Sequence, residues 1–316
     1  MSDDTKPAKL PLMERLVGLA MIGPIILSRA LPYHLRVPFI GWLTSRVVAP
    51  IAGYNRRITK NLALVCPELS QQEVREIRRT VADQAGRNIA ELFSPEFPEY
   101  SKKAPLVGPG VPKLFEAREE GRPVIFVTAH FGSFNAARVS VITNGIDLGV
   151  FYRPMSNGIF NPHYVEAMRS LSEPMFEQGR RGMIQMVKHI RAGGVLAILN
   201  DLKSADGVPL EFFGEPAMTS LVTAEMALKF DAVLLPVWGL RQKDGLHFET
   251  IIEEPIEHSD PVTMTREFNR RLEAAVRGNM GQWFWVHRRW KNNDGYEAAK
   301  GRELMAKIAK ETASDG

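Results

Sequence analysis

His130 is the residue whose surroundings best suit it to acid–base chemistry. An apolar run, residues 123–129 (Pro-Val-Ile-Phe-Val-Thr-Ala), leads into it. The turn Phe131-Gly132 follows, and a helical pattern starts at Ser133. A lone histidine is more often structural than catalytic. One at the C-terminal end of a buried strand, before a glycine turn, lies where open α/β sheets bind their ligands. An imidazole there can exchange a proton near neutral pH. Two other polar groups hold comparable positions. Arg153 follows the run 148–152, where a guanidinium can grip phosphate or carboxylate bidentately or make a surface ion pair. Asn200-Asp201 closes a third run, 195–199.

Other chemistries lack their residues. The histidines (34, 130, 163, 189, 247, 258 and 287) form no His-x3-His and no Cys/His cluster, so no metal site is expected. There is no Gly-x-Ser-x-Gly elbow and no Gly-x4-Gly-Lys-Ser/Thr phosphate loop. The single cysteine, Cys66, excludes an intrachain disulfide and fits a reducing compartment.

The elements that must position these groups follow from hydrophobic period. Helical spacing predicts helices over 70–93, 113–120, 133–143, 162–171, 183–191, 219–230 and 263–277, with a polar terminal helix over 296–311. Ser70 and Glu73 have the spacing of a capping box. Short β-rich runs at 124–129, 148–152, 195–199, 232–238 and 247–252 read as strands. The alternation predicts an α/β fold with a mixed, mainly parallel sheet flanked by helices. Residues 207–220, rich in Pro and Gly with Phe212 and Phe213 paired, read as a loop that either lines substrate or packs on the surface. Trp283, Trp285 and Trp290 interleave with Arg288, Arg289 and Lys291, which suits either a membrane interface or a packed segment.

With 316 residues and 45% hydrophobic composition, the chain can bury a sizeable core. Its net charge of +4 is unevenly distributed. Residues 1–60 carry nine Lys or Arg against three acids, a balance of +6, and the other 256 residues sum to −2. The basic excess surrounds Leu16–Ser28, an uncharged run shorter than the ~20 residues of a simple span. Cationic charge beside apolar surface attracts an anionic bilayer, at roughly 1 kcal/mol per basic residue. We therefore expect an N-terminal membrane-anchoring helical segment over 1–60, broken by Pro24 and Pro32, with Arg15 and Arg29 reaching headgroups. A buried helical hairpin is the alternative. Residues 61–316 form the α/β domain. Neither zinc-finger spacing nor an RNA-binding signature is present, so nucleic acid is not an expected partner.

Taken in chain order, these pieces resemble the late acyltransferases of lipid A biosynthesis, within the wider glycerolipid acyltransferase fold. The matching residues are the apolar N-terminus, Arg57-Ile58-x2-Asn61-Leu62, Ala129-His130-Phe131-Gly132 and Tyr152-Arg153-Pro154. They continue with Asp201, Phe212-Phe213-Gly214-x-Pro216-Ala217-x-Thr219 and Gln282-Trp283-x-Trp285-x-His287-Arg288-Arg289-Trp290-Lys291. The resemblance runs from about residue 10 to 295.

It implies transfer of an acyl chain from an acyl carrier protein thioester to a hydroxyl of a lipid A precursor. The implied location is the cytoplasmic face of the cell inner membrane, and no further cofactor is implied. His130 would be the general base, oriented by an acid five residues later. Arg153, Asp201, Phe212, Phe213 and Gly214 would bind substrate. The sequence departs from this pattern at Asn135, which stands at the acid's position. An amide can accept a hydrogen bond from imidazole but cannot stabilise its cation, and in a serine protease triad such a change costs about 10⁴ in turnover. Three explanations fit: an engineered inactive variant, an enzyme using another carboxylate, or a non-catalytic lipid-binding homologue. Restoring the acid by Asn135→Asp is expected to raise activity. Another lipid acceptor, such as an ornithine lipid or phosphatidylinositol mannoside, is the nearest enzymatic rival. A soluble thioester hydrolase is a further one.

Overall fold

The computed structural model describes residues 11–291, 299 and 301–308. It opens with helices. α1 (Leu12–Ser28) and α2 (Tyr33–Leu43) lead through a π-helical turn (Thr44–Val48) to α3 (Ala49–Ile51), α4 (Tyr54–Val65) and the long α5 (Gln71–Leu92). The capping box predicted for α5 is present. The Ser70 backbone N–H donates to Glu73 Oε2 at 2.8 Å, and the Glu73 N–H donates back to Ser70 Oγ at 3.3 Å.

After α6 (Phe97–Ser101) the chain alternates. The order is β1 (Leu106–Val107), α7 (Gly110–Glu119), β2 (Val124–Thr128), α8 (Phe134–Thr143), β3 (Leu148–Tyr152) and α9 (Phe160–Arg169). Then come β4 (Met175–Glu177), α10 (Arg180–Arg191), β5 (Val195–Leu199), β6 (Val208–Phe212), β7 (Glu215–Thr219), α11 (Val222–Phe230), β8 (Val233–Arg241), β9 (Phe248–Ile252) and α12 (Pro261–Gly278). Residues 301–308 are helical, and the rest of the terminal helix expected over 296–311 lies outside the described residues, apart from 299.

The main sheet has the order β1-β9-β8-β2-β5-β3-β4. From β8 to β4 its neighbours run parallel, and β9 turns back antiparallel to β8. β2 lies in the middle with every residue buried, which is why it reads as a continuous apolar run. Its Val124 and Phe126 meet Leu114, Ala137 and Val141 of α7 and α8. Its Ile125 and Val127 join Met186, Ile190, Ala227, Phe268 and Leu272 from α10, α11 and α12 on the opposite face. The expected mixed, mainly parallel sheet is thus observed. α4 crosses the expected boundary at residue 60, and its Ile58 and Leu62 are fully buried in that second core.

Two regions depart from expectation. Residues 207–220 form an antiparallel hairpin, β6–β7, rather than an irregular loop. Its turn is Phe213-Gly214, both at positive φ (55° and 73°), which suits the right-handed twist of a two-residue hairpin. Phe213 is bulky for that position, and Pro209 and Pro216 lie inside the strands, so the sequence signal was masked. The second is the N-terminal region, where α1 runs through Pro24 instead of breaking there as expected. No described helix is long and apolar enough to cross a membrane. α1 is apolar nearly all round. Gly18, Ile22, Ile25 and Ser28 face inward, while Leu12, Met13, Leu16, Val17, Leu19, Met21, Ile26 and Leu27 stay exposed. Arg29 is exposed and also donates to the Phe93 carbonyl (2.9 Å). Arg36 is buried and paired with Glu96 (2.6 Å), so part of the basic excess is spent internally.

Candidate active site

Strand register brings the site together. β2 and β5 pair in parallel with Thr128 opposite Leu199. His130 lies two residues past Thr128 and Asp201 two past Leu199, so the strands deliver them side by side at the C-terminal rim. His130 Nδ1 lies 2.8 Å from Asp201 Oδ1, and the His130 backbone N–H donates to Asp201 Oδ2 at 2.9 Å. The Trp283 indole N–H donates to the same Oδ2 at 3.0 Å. Asp201 is fully buried, whereas the His130 side chain keeps 28% exposure.

The turn after His130 is tied at nearly every backbone group. Its own carbonyl accepts from Phe284 N–H (2.9 Å), and Gly132 N–H donates to the Gln282 carbonyl (2.9 Å). The Gly132 carbonyl accepts from the Asn88 amide (2.9 Å), and Ser133 N–H donates to the Gly239 carbonyl (2.7 Å). Gly132 has φ 61°, and a Cβ there would collide with the Gly239 carbonyl, so only glycine serves. Asn88 is held in turn by Arg241 (2.8 Å), which pairs with the fully buried Glu91 through both carboxylate oxygens.

The electrostatics follow from burial and neighbours. Burial alone would raise the Asp201 carboxyl. The charge and hydrogen bonds of His130, with His287 nearby, outweigh it and hold the group below the usual carboxylate range. The His287 ring packs edge-on against His130, 4.5 Å between centroids. Burial, helped by the neighbouring His130 charge, pushes His287 down to about 3, so it is neutral at physiological pH. The ionised Asp201 carboxylate faces Nδ1 as an acceptor, so an Nδ1–H tautomer satisfies this contact, the geometry of a general base with an orienting acid. Ligand atoms of His130, Asp201 and His287 lie within 4.8 Å of one another and could hold a metal. Both Asp201 oxygens are already engaged, however, by His130 and Trp283.

Asn135 is not the hydrogen-bond partner of the His130 ring. It is buried in the first turn of α8, and among the described residues its side chain makes no hydrogen bond to His130. The carboxylate within hydrogen-bond distance of Nδ1 is Asp201, which was expected in substrate binding. With no exposure and both oxygens engaged, it has nothing left for a ligand. Phe212 and Phe213 are also placed differently. Both are buried, Phe212 against Trp283 and Trp290 (5.5 and 5.7 Å) and Phe213 against Trp285 (5.3 Å). They pack the wall behind Trp283 instead of facing a cleft. Gly214 is exposed at the hairpin turn. Arg153 is exposed one residue beyond β3, on the same rim as His130 and separated from β2 by β5 alone. Sequence reasoning missed Trp283 and His287 as site groups. Their clustering with basic residues was visible, but nothing in one dimension aims an indole at Asp201.

A general base at a strand end fits many transferases and hydrolases. Comparison with known proteins narrows the choice, because the model of the bacterial lipid A biosynthesis acyltransferase family matches residues 7–292. The chain belongs to this family. As a lipid A biosynthesis acyltransferase it is an enzyme that transfers acyl groups. A lipid A biosynthesis acyltransferase of Haemophilus influenzae is 21% identical over 268 residues, covering 83% of each chain. The family match includes β2, β5 and the Trp283 segment, so all three contributors to the His130–Asp201 pair lie within it.

Proposed function

We propose that this acyltransferase moves a fatty acyl chain from an acyl carrier protein thioester to a hydroxyl of a lipid A precursor. His130 is the general base and Asp201 the group that orients it. The observation carrying this reading is the 2.8 Å contact between His130 Nδ1 and Asp201. Nε2 takes the proton of the acceptor hydroxyl as its oxygen attacks the thioester carbonyl carbon. The tetrahedral intermediate collapses with cleavage of the C–S bond, and the proton passes from His130 to the departing sulfur. Asp201 stabilises the imidazolium between these steps. Arg153 grips a phosphate of the acceptor.

The reaction takes place at the cytoplasmic face of the inner membrane, with the exposed apolar side of α1 and the exposed Leu35, Phe39 and Trp42 of α2 lying in the bilayer interface. A helix apolar on both faces needs a second apolar contact, and 17 residues reach only ~25 Å, short of a ~30 Å hydrocarbon core. This supports lying in the interface over spanning.

The test is transfer from acyl carrier protein to a lipid A precursor in detergent micelles, read as new ester by mass spectrometry. Wild-type protein should form it, and His130→Ala should lose ~10²–10⁴ of the rate. No product with wild-type protein under conditions where acceptor binds would reject the reading.

A further inference from the structure

A groove of about 500 Å³ lies between α1 and the stretch from Met155 to Phe160, within the ~300–1,000 Å³ of small-molecule sites. Its walls are mostly apolar, with Met13, Val17 and Met21 on one side and Met155 and Phe160 on the other. Methionine adapts to irregular, flexible hydrocarbon better than branched side chains do. The walls are fixed relative to each other. The Glu14 carboxylate accepts from Gly158 N–H, and its carbonyl accepts from the Asn157 amide, both at 2.9 Å. Gly18 permits the close approach, since a Cβ there would meet Asn157 and Ile159.

Two features say what enters the groove. Its α1 wall is continuous with the exposed apolar face of Leu12, Leu16 and Leu19, so the groove opens toward lipid rather than toward a water-borne carrier. Arg153, two residues before Met155, is exposed and has no ion-pair partner among the described residues, leaving a cation for an anionic head. We infer that this groove seats an acyl chain already present on a phosphorylated glycolipid acceptor, with Arg153 on its phosphate. This rests on the acyl-transfer reading above and adds where the acceptor is gripped.

Two measurements test it on the full chain. The first needs no turnover. A phosphorylated glycolipid with a diazirine at a chain end should crosslink to residues 13–21 and 155–160. Crosslinks confined to other segments would overturn the inference. The second uses Val17→Trp and Met155→Trp, both at exposed positions, with Leu27→Trp as a control elsewhere on α1. Each groove variant should raise KM for a long-chain acceptor roughly tenfold and shrink the preference for long-chain over short-chain acceptors. KM for the acyl donor should stay within about twofold. Unchanged acceptor KM, or a shift falling on donor KM and donor chain length, would contradict it. Groove crosslinking without transfer would uphold the groove and reject the acyl-transfer reading.

Discussion

Two buried carboxylates flank the turn that follows His130, and they are put to different uses. Glu91 is fully enclosed and faces Arg241, itself buried, whose guanidinium also donates to Gln84 (2.5 Å), Asn88 and the Gly245 carbonyl (3.2 Å). Asp201 is equally enclosed but faces an imidazole that is still 28% exposed. An arginine cannot release its proton in a protein, so the first pair can only hold. A histidine can, so the second pair can cycle. Burial pushes Glu91 up against the pull of Arg241, while the partners of Asp201 win over its burial. Nearly the same dry setting thus supports a rivet on one side of the turn and the proposed base on the other, and the partner makes the difference.

Substitutions can separate the two roles. The largest effect is expected for Asp201→Asn, which keeps the shape and removes the charge. Turnover should fall ~10³–10⁴-fold by analogy with the protease triad, with some stability lost as well, because the hydrogen bonds from His130 and Trp283 lose their charge assistance. Arg241→Met should act mainly on stability. Stranding the Glu91 charge should cost about 3–5 kcal/mol of stability, read by urea unfolding, with surviving folded protein retaining its pH–rate profile. Trp283→Phe removes one charge-assisted hydrogen bond to Asp201, worth about 1.5–3 kcal/mol. We expect turnover to drop roughly tenfold or more with KM for either substrate nearly unchanged.

His287 sharpens the comparison through pH. Its folded pKa of about 3 lies below the ordinary histidine value of 6.5, so the unfolded chain binds this proton first. Stability from His287 is therefore whole above about pH 6.5 and is lost as pH falls toward 3. His287→Gln should flatten that part of the stability curve, measured by urea midpoints from neutral to acid pH. A curve as steep as wild type would contradict it. The smallest effect belongs to Asn135→Asp. Since Asp201 already orients Nδ1, the rise expected from sequence should not appear, and turnover should stay within about threefold of wild type.

Much of the scaffold was legible. Leu148–Tyr152 and Val195–Leu199 form strands with the predicted bounds, and Val124–Thr128 falls one residue short, because buried parallel strands announce themselves as apolar runs. The capping of α5 was equally local. The His130–Asp201 pair was not legible. The two residues are 71 apart, and only the register of β2 on β5 joins them. The spacing from His130 to Asn135 was conspicuous because it is local, and it pointed to the wrong partner. The Phe212-Phe213-Gly214 segment shows the same limit. Its aromatic pair was plain, but whether it faced a cleft or a Trp cluster depended on residues 283–290, brought there by the fold.

Asp201, and not residue 135, is expected to hold the Nδ1 proton of His130. Nitrogen-15 NMR of histidine-labelled protein near neutral pH reads this directly, comparing wild type, Asn135→Ala and Asp201→Asn. We predict an Nδ1-protonated His130 in wild type and Asn135→Ala alike, with that state lost or shifted in Asp201→Asn. Loss in Asn135→Ala and persistence in Asp201→Asn would contradict the account.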